Sequence, residues 1–131
     1  MAHQYPLLLE PGKMGPWQLP NRIVMAPMGS LNGDKDGYVT QNAIDFYVEQ
    51  AKGGMGLIVV ECTYMDNELS KGEDNCLGLY ENGQVTGMRR LAESIQDHGV
   101  KAVLQLCHIG HQLSLADHVE SLGPSEMVEM M

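Results

Sequence analysis

The chain has 131 residues, with 8 Lys and Arg against 17 Asp and Glu, a formal charge of −9 with its 5 histidines neutral. That length allows one domain at most, at about 150 residues per domain, and 44% hydrophobic with 19% charged residues is a globular composition. Eight cations cannot neutralise many phosphates, so neither a nucleic-acid groove nor an anionic membrane surface is expected as a partner.

No apolar run approaches the roughly 18 residues of a membrane span, and the opening Met-Ala-His-Gln-Tyr-Pro has no basic n-region or long apolar h-region, so no signal peptide is expected. The three cysteines, Cys62, Cys76 and Cys107, form no CxxC pair and no even set. They predict reduced thiols in a cytoplasmic protein. Ten Met beside one Trp and one Phe predict a core of aliphatic and thioether packing.

In chain order, Pro6, Pro11, Pro16 and Pro20 with Gly12 and Gly15 punctuate short apolar runs and predict a hairpin. Arg22 to Met28 is an apolar run containing Pro27, which fits a buried strand that stops where proline cannot donate to a ladder. Ile44, Tyr47, Val48 and Ala51 fall at i, i+3, i+4 and i+7, with Thr40 as N-cap and Gly53-Gly54 as stop, the pattern of an amphipathic helix. The continuous run Leu57 to Val60 then predicts a strand covered on both faces of a parallel sheet.

The unit repeats. Val85, Met88, Leu91, Ala92 and Ile95 mark one face of a second helix, Gly99 follows it, and Ala102 to Leu106 is a third strand. Between Glu61 and Gln84 the acidic residues Asp66, Glu68, Glu73, Asp74 and Glu81 predict a long solvated loop at the strand ends. After Gly110 no strand pattern returns, so the βαβαβ pattern stops part-way through an architecture and leaves sheet edges to be covered.

Ligands of parallel α/β folds bind at the C-terminal ends of the strands. Those ends read Ala26-Pro27-Met28-Gly29, Glu61-Cys62-Thr63 and Gln105-Leu106-Cys107-His108. Gln105 offers both a donor and an acceptor, suited to a ring of alternating carbonyl and imide groups, although neighbouring backbone would satisfy it equally well. His108 suits a polar contact to an anionic or carbonyl group, with a plain loop histidine as the alternative. Neither HExxH nor CxxC is present, so no metal is expected. Gly53-Gly54-Met55-Gly56 closes a helix and opens a strand, the reverse of a dinucleotide fingerprint, and is assigned to a helix C-cap and tight turn. Cys62 has no basic neighbour in sequence to lower its pKa and is taken as a small strand-end residue.

Four ordered segments, Leu19 to Met28, Phe46 to Ile58, His98-Gly99 with Gln105 to Gly110, and Gly123-Pro124-Ser125, together resemble the Old Yellow Enzyme family of flavin oxidoreductases. The similarity is to its branch of 2-enoate, dienoyl-CoA and bile-acid-inducible reductases. The resemblance implies that residues 1–131 are the N-terminal fragment of an FMN-binding (β/α)8 TIM barrel, a hairpin plus about three βα units. It implies that Ala26, Pro27, Met28 and Gly29 lie along the flavin, with Cys62 at the second strand end and Gln105 on the pyrimidine edge; His108 is the candidate for the substrate side. Gly29 stands where relatives often carry Thr or Cys, and His111 where they usually carry Arg. The implied reaction passes hydride from NAD(P)H through flavin N5 to an activated alkene or enoyl compound. The strand-four residues that bind the substrate carbonyl and donate the proton would lie beyond Met131, so no catalytic residue is assigned here.

Two other readings stand beside this one. The chain could be a noncatalytic half-barrel that buries its open strands against another chain, including a copy of itself. It could also be a flavodoxin-like open sheet, with Gly29 to Gly33 as a poor phosphate turn.

Overall fold

The computed structural model describes residues 5–110. A single helical turn, α1 (Pro6–Leu9), precedes a hairpin of β1 (Gly12–Met14) and β2 (Trp17–Leu19). The hairpin is closed by Gly15-Pro16, where Gly15 takes the positive φ of +54° that a two-residue turn requires. The α1 turn is absent from the sequence-based expectation because four residues are too few to show a helical period.

Three parallel strands follow, β3 (Val24–Met25), β4 (Leu57–Tyr64) and β5 (Lys101–Cys107), with β4 in the centre. Helix α2 (Gln41–Lys52) connects β3 to β4 and α3 (Val85–Gln96) connects β4 to β5. Thr40 caps α2 as expected, its hydroxyl accepting from the Ala43 N–H at 3.2 Å. Gly53 and Gly54, the latter at φ +87°, close that helix. Helix α3 is entered through a 3-10 turn at Asn82–Gln84, with a reciprocal capping box between Glu81 and Gln84.

Both helices lie on one face of the sheet. Ala43, Ile44, Tyr47 and Ala51 of α2 share one core with Leu91 and Ile95 of α3 and with Met25, Ile58 and Val60. Successive strands are neighbours in chain order and successive helices share a face, which is the winding of a (β/α) barrel. A flavodoxin-like sheet would place the first strand between the second and third. The observed order β3-β4-β5 rules that reading out.

Two further expectations are corrected. Strand β4 runs past Val60 to Tyr64, because the sequence pattern breaks at Glu61 while the backbone does not. The segment after it is not simply solvated: Leu77 is fully buried in the core, Ser70 and Gln84 are buried, and a parallel bridge joins Tyr64 to Gly78. The Tyr64 N–H donates to the Leu77 carbonyl at 3.0 Å, and the Leu79 N–H to the Tyr64 carbonyl at 2.8 Å. Acidic side chains on one side of this segment face water while its few apolar ones anchor it, a division too sparse to show a period.

Candidate functional site

The three strand ends converge on one rim. Strand β3 leads into Ala26-Pro27-Met28-Gly29, a run outside any strand or helix whose Ala26, Met28 and Gly29 are exposed. Pro27 has no N–H to offer a neighbour, so ladder pairing ends before it. A Cβ built on Gly29 would meet a single atom within 4 Å, Glu61 Oε2 at 3.9 Å. The run therefore presents backbone to an open face.

On β4 the register with β5 slips between Val60 and Cys62, so that Val60 faces Leu104 and Cys62 faces Gln105. Glu61 is the extra residue of a β-bulge, a feature that re-aims side chains and takes one residue out of the ladder. Its N–H is satisfied from α2, donating to the Tyr47 hydroxyl at 2.9 Å. Its carboxylate, fully buried, accepts from the Ser30 hydroxyl at 2.7 Å and from the Ser30 backbone N–H. Sequence reasoning placed Glu61 at a strand end but gave it no role. The available signal was a carboxylate inside an otherwise apolar strand, a group that is almost never fully buried without partners.

The bulge also fixes Gln105. Because Cys62 and Gln105 are register partners, they share a face of the sheet, and the Gln105 side chain is exposed there rather than turned into the core. His108, just past β5, is exposed, and its Nδ1 accepts from the Gly110 N–H at 3.0 Å. All seven residues singled out from the sequence, Ala26, Pro27, Met28, Gly29, Cys62, Gln105 and His108, lie at the C-terminal end of the sheet. His111 and Gly123-Pro124-Ser125 fall outside the described residues.

The cysteines correct the sequence-based expectation. Cys62 and Cys107 are bonded to each other across β4 and β5, with Cα atoms 5.5 Å apart, so they are not reduced thiols here. They are 45 residues apart in sequence, and only the parallel pairing of two strand ends brings them together. Cys76 carries the free thiol among the described residues, and burial pushes its pKa up. A cavity of about 350 Å³ beside the rim is bounded by Gly29, Leu31, Cys62, Tyr64, Cys76 and Cys107. Burial raises the Tyr64 phenol to about 12, and its hydroxyl has no hydrogen-bond partner among the described residues.

This rim can hold a flat heterocycle. Exposed backbone lies along one side, a free amide with donor and acceptor stands on β5, two strands across, and only Glu61 Oε2 comes within 4 Å of a Cβ built on Gly29. No cluster of three or more His, Cys, Asp or Glu able to hold a metal occurs among the described residues, and none of their helices is long and apolar enough to cross a membrane.

Comparison with known proteins gives a consistent picture. The profile of the NADH:flavin oxidoreductase / NADH oxidase family matches residues 7–131. The chain is 35% identical over 127 residues to an NADH oxidase of Thermoanaerobacter brockii, covering 95% of this chain and 19% of that protein. It is 37% identical over 102 residues to an NADPH dehydrogenase of Listeria monocytogenes, covering 77% of this chain and 30% of that protein. Among solved structures, the Old Yellow Enzyme homologue of Zymomonas mobilis superposes with a TM-score of 0.82 at 27% identity, over 92% of this chain and 33% of that one. A 2-naphthoyl-CoA reductase bound to 2-naphthoyl-CoA superposes with a TM-score of 0.81 at 30% identity, over 87% of this chain and 17% of that one. The chain thus spans a third or less of the length of these relatives.

Proposed function

Because the chain belongs to the NADH:flavin oxidoreductase / NADH oxidase family, whose members use FMN with NAD(P)H as reductant, we propose that residues 1–131 form the N-terminal part of an FMN-dependent ene-reductase barrel. The proposed substrate is an activated alkene or enoyl compound. Bound FMN would supply the hydride carrier between nicotinamide and alkene. The observation that carries the reading is the convergence of three strand ends on one open rim, with the Gln105 amide in register beside Cys62. One relative is an NADH:acrylate oxidoreductase of Vibrio harveyi, 39% identical over 93 residues, and the naphthoyl-CoA reductase above supports an enoyl-type substrate in the same way.

In this reading each residue has a task that its position allows. The backbone of Ala26, Pro27, Met28 and Gly29 lies along the flavin ring, and the missing side chain at Gly29 leaves room for it. Gln105 donates and accepts at the pyrimidine edge, a pairing that selects the ring's orientation. Cys62 holds the adjacent strand end. His108, exposed beyond β5, faces the substrate side. The residue that donates the proton to the alkene belongs to a later strand. The protein is soluble and cytoplasmic in this reading.

The test is direct: purify the full-length barrel proposed to contain residues 1–131 without added cofactor, record its visible absorbance, and assay NAD(P)H-dependent reduction of an activated alkene. Flavin bands with alkene-dependent nicotinamide oxidation are expected. A colourless protein that retains no flavin after incubation with FMN and desalting would refute the reading.

A second reading is favoured by one feature. Between α3 and strands β4 and β5 lies a largely apolar groove of about 310 Å³, lined by Val60, Leu79, Met88, Ala102 and Leu104 with Arg89. A half-barrel that closes by associating with another chain would cover it. Sedimentation at micromolar concentration separates the two, since the half-barrel requires an oligomer.

A further inference from the structure

The buried carboxylate of Glu61 is not used by the proposed flavin contacts, yet it joins three elements that meet at the rim. Its backbone N–H donates to Tyr47 of α2, its own residue is the bulge of β4, and both carboxylate oxygens receive hydrogen bonds from Ser30. Ser30 directly follows the Ala26 to Gly29 run. That run has no ladder partner beyond Met25, because pairing with β4 covers only Val24 and Met25. Pro27 forbids one donor within it. The Ser30 contacts therefore supply what the sheet does not, a fixed far end for the run.

No Lys, Arg or His among the described residues lies within 4.0 Å of Glu61, so Ser30 provides its only described polar contacts from the side chain outward. An apolar residue of similar volume would fill the same space without the desolvation cost, so what this carboxylate adds is its pair of acceptors. Two oxygens accepting from the N–H and the hydroxyl of one residue fix both the backbone and the side chain of that residue.

We propose that Glu61 is a positioning residue for the flavin site, holding the Ala26 to Gly29 backbone in place through Ser30, with Tyr47 holding the bulge that aims it. The proposal rests on the flavin reading above. It assigns Glu61 no contact with flavin or substrate. The action passes from α2 through the bulge to the loop, so it predicts coupling between residues that are 31 positions apart in sequence.

The test compares Glu61→Gln, Glu61→Ala and Ser30→Ala with the unaltered protein by amide hydrogen exchange over residues 26–31 and by FMN affinity from fluorescence quenching. Gln keeps the shape and one acceptor, and the Ser30 hydroxyl can turn to accept from its new amide. Glu61→Gln is therefore the rescue variant and Glu61→Ala the full loss. Loss of charge-assisted hydrogen bonds predicts exchange faster by about tenfold or more at these amides in Glu61→Ala. FMN affinity should fall in parallel by about tenfold, with Glu61→Gln intermediate. Ser30→Ala removes one contact at a half-buried site and keeps the fold, so it tests the same link should Glu61→Ala not fold. It should weaken FMN binding about threefold. Unchanged exchange in both Ser30→Ala and Glu61→Gln would overturn the proposal, as would faster exchange with unaltered FMN affinity. Failure of the unaltered protein to bind FMN would instead refute the flavin reading on which it rests, and that arm is read separately.

Discussion

Two buried tyrosines provide a matched perturbation. Tyr47 and Tyr64 are fully and almost fully buried, at 0% and 1% exposure, and each ends in a hydroxyl inside the protein. The Tyr47 hydroxyl accepts from the Glu61 N–H at 2.9 Å, a donor that the β-bulge has removed from the ladder. The Tyr64 hydroxyl has no partner among the described residues. Tyr47→Phe leaves a buried N–H unsatisfied, at about 1–3 kcal/mol. Tyr64→Phe removes a buried hydroxyl that makes no bond, and should be neutral or stabilising by up to about 1 kcal/mol. For a domain of this size 1 kcal/mol moves the Tm by about 3–6 °C. Thermal unfolding followed by circular dichroism should show Tyr47→Phe melting several degrees below the unaltered protein and Tyr64→Phe at or above it. Equal destabilisation by both substitutions would refute the reasoning. It would mean that ring packing alone, and not the hydrogen bond to the bulge, sets the role of Tyr47.

Alkylation without reductant, followed by peptide mass spectrometry, should label Cys76 and leave Cys62 and Cys107 linked; reduction should destabilise the fold, by about 4 kcal/mol at most on the chain-entropy argument for a loop of 45 residues. Leu77→Ala should cost about 2–5 kcal/mol by urea unfolding, because its side chain is fully buried, whereas a solvated loop position would cost almost nothing. Alkaline titration at 295 nm should show Tyr38, hydrogen-bonded to Glu81, and Tyr64, buried, holding their protons to about pH 12, with Tyr47 also raised by burial. The unfolded chain releases these protons near pH 10. Stability that is fully present below pH 10 should therefore fall as the pH rises toward 12, and a flat profile across that window would contradict the assigned environments.

Helices α2 and α3 and the two longer strands were legible from sequence because their apolar periods are long enough to distinguish 3.6 from continuous burial. The strand ends were legible as a candidate site because Pro27, Gln105 and His108 each interrupt an apolar pattern. What the sequence could not display was any feature created by register. The bulge at Glu61 makes a polar residue part of a strand, and its neutral partner Ser30 is too distant in sequence to be inferred. The Cys62–Cys107 bond depends on the same strand pairing, and an odd cysteine count concealed it. Leu77 was hidden by acidic neighbours that face water, since isolated anchors carry no periodic signal.

The central claim is that the three strand ends form one flavin rim. The most direct test is to titrate FMN into isotope-labelled protein and map amide perturbations. The account predicts changes concentrated at Ala26, Met28, Gly29, Cys62 and Gln105. Saturable FMN binding whose perturbations fall instead on Met88, Ala102 and Leu104 in the groove along β5, or no binding at all, would contradict it.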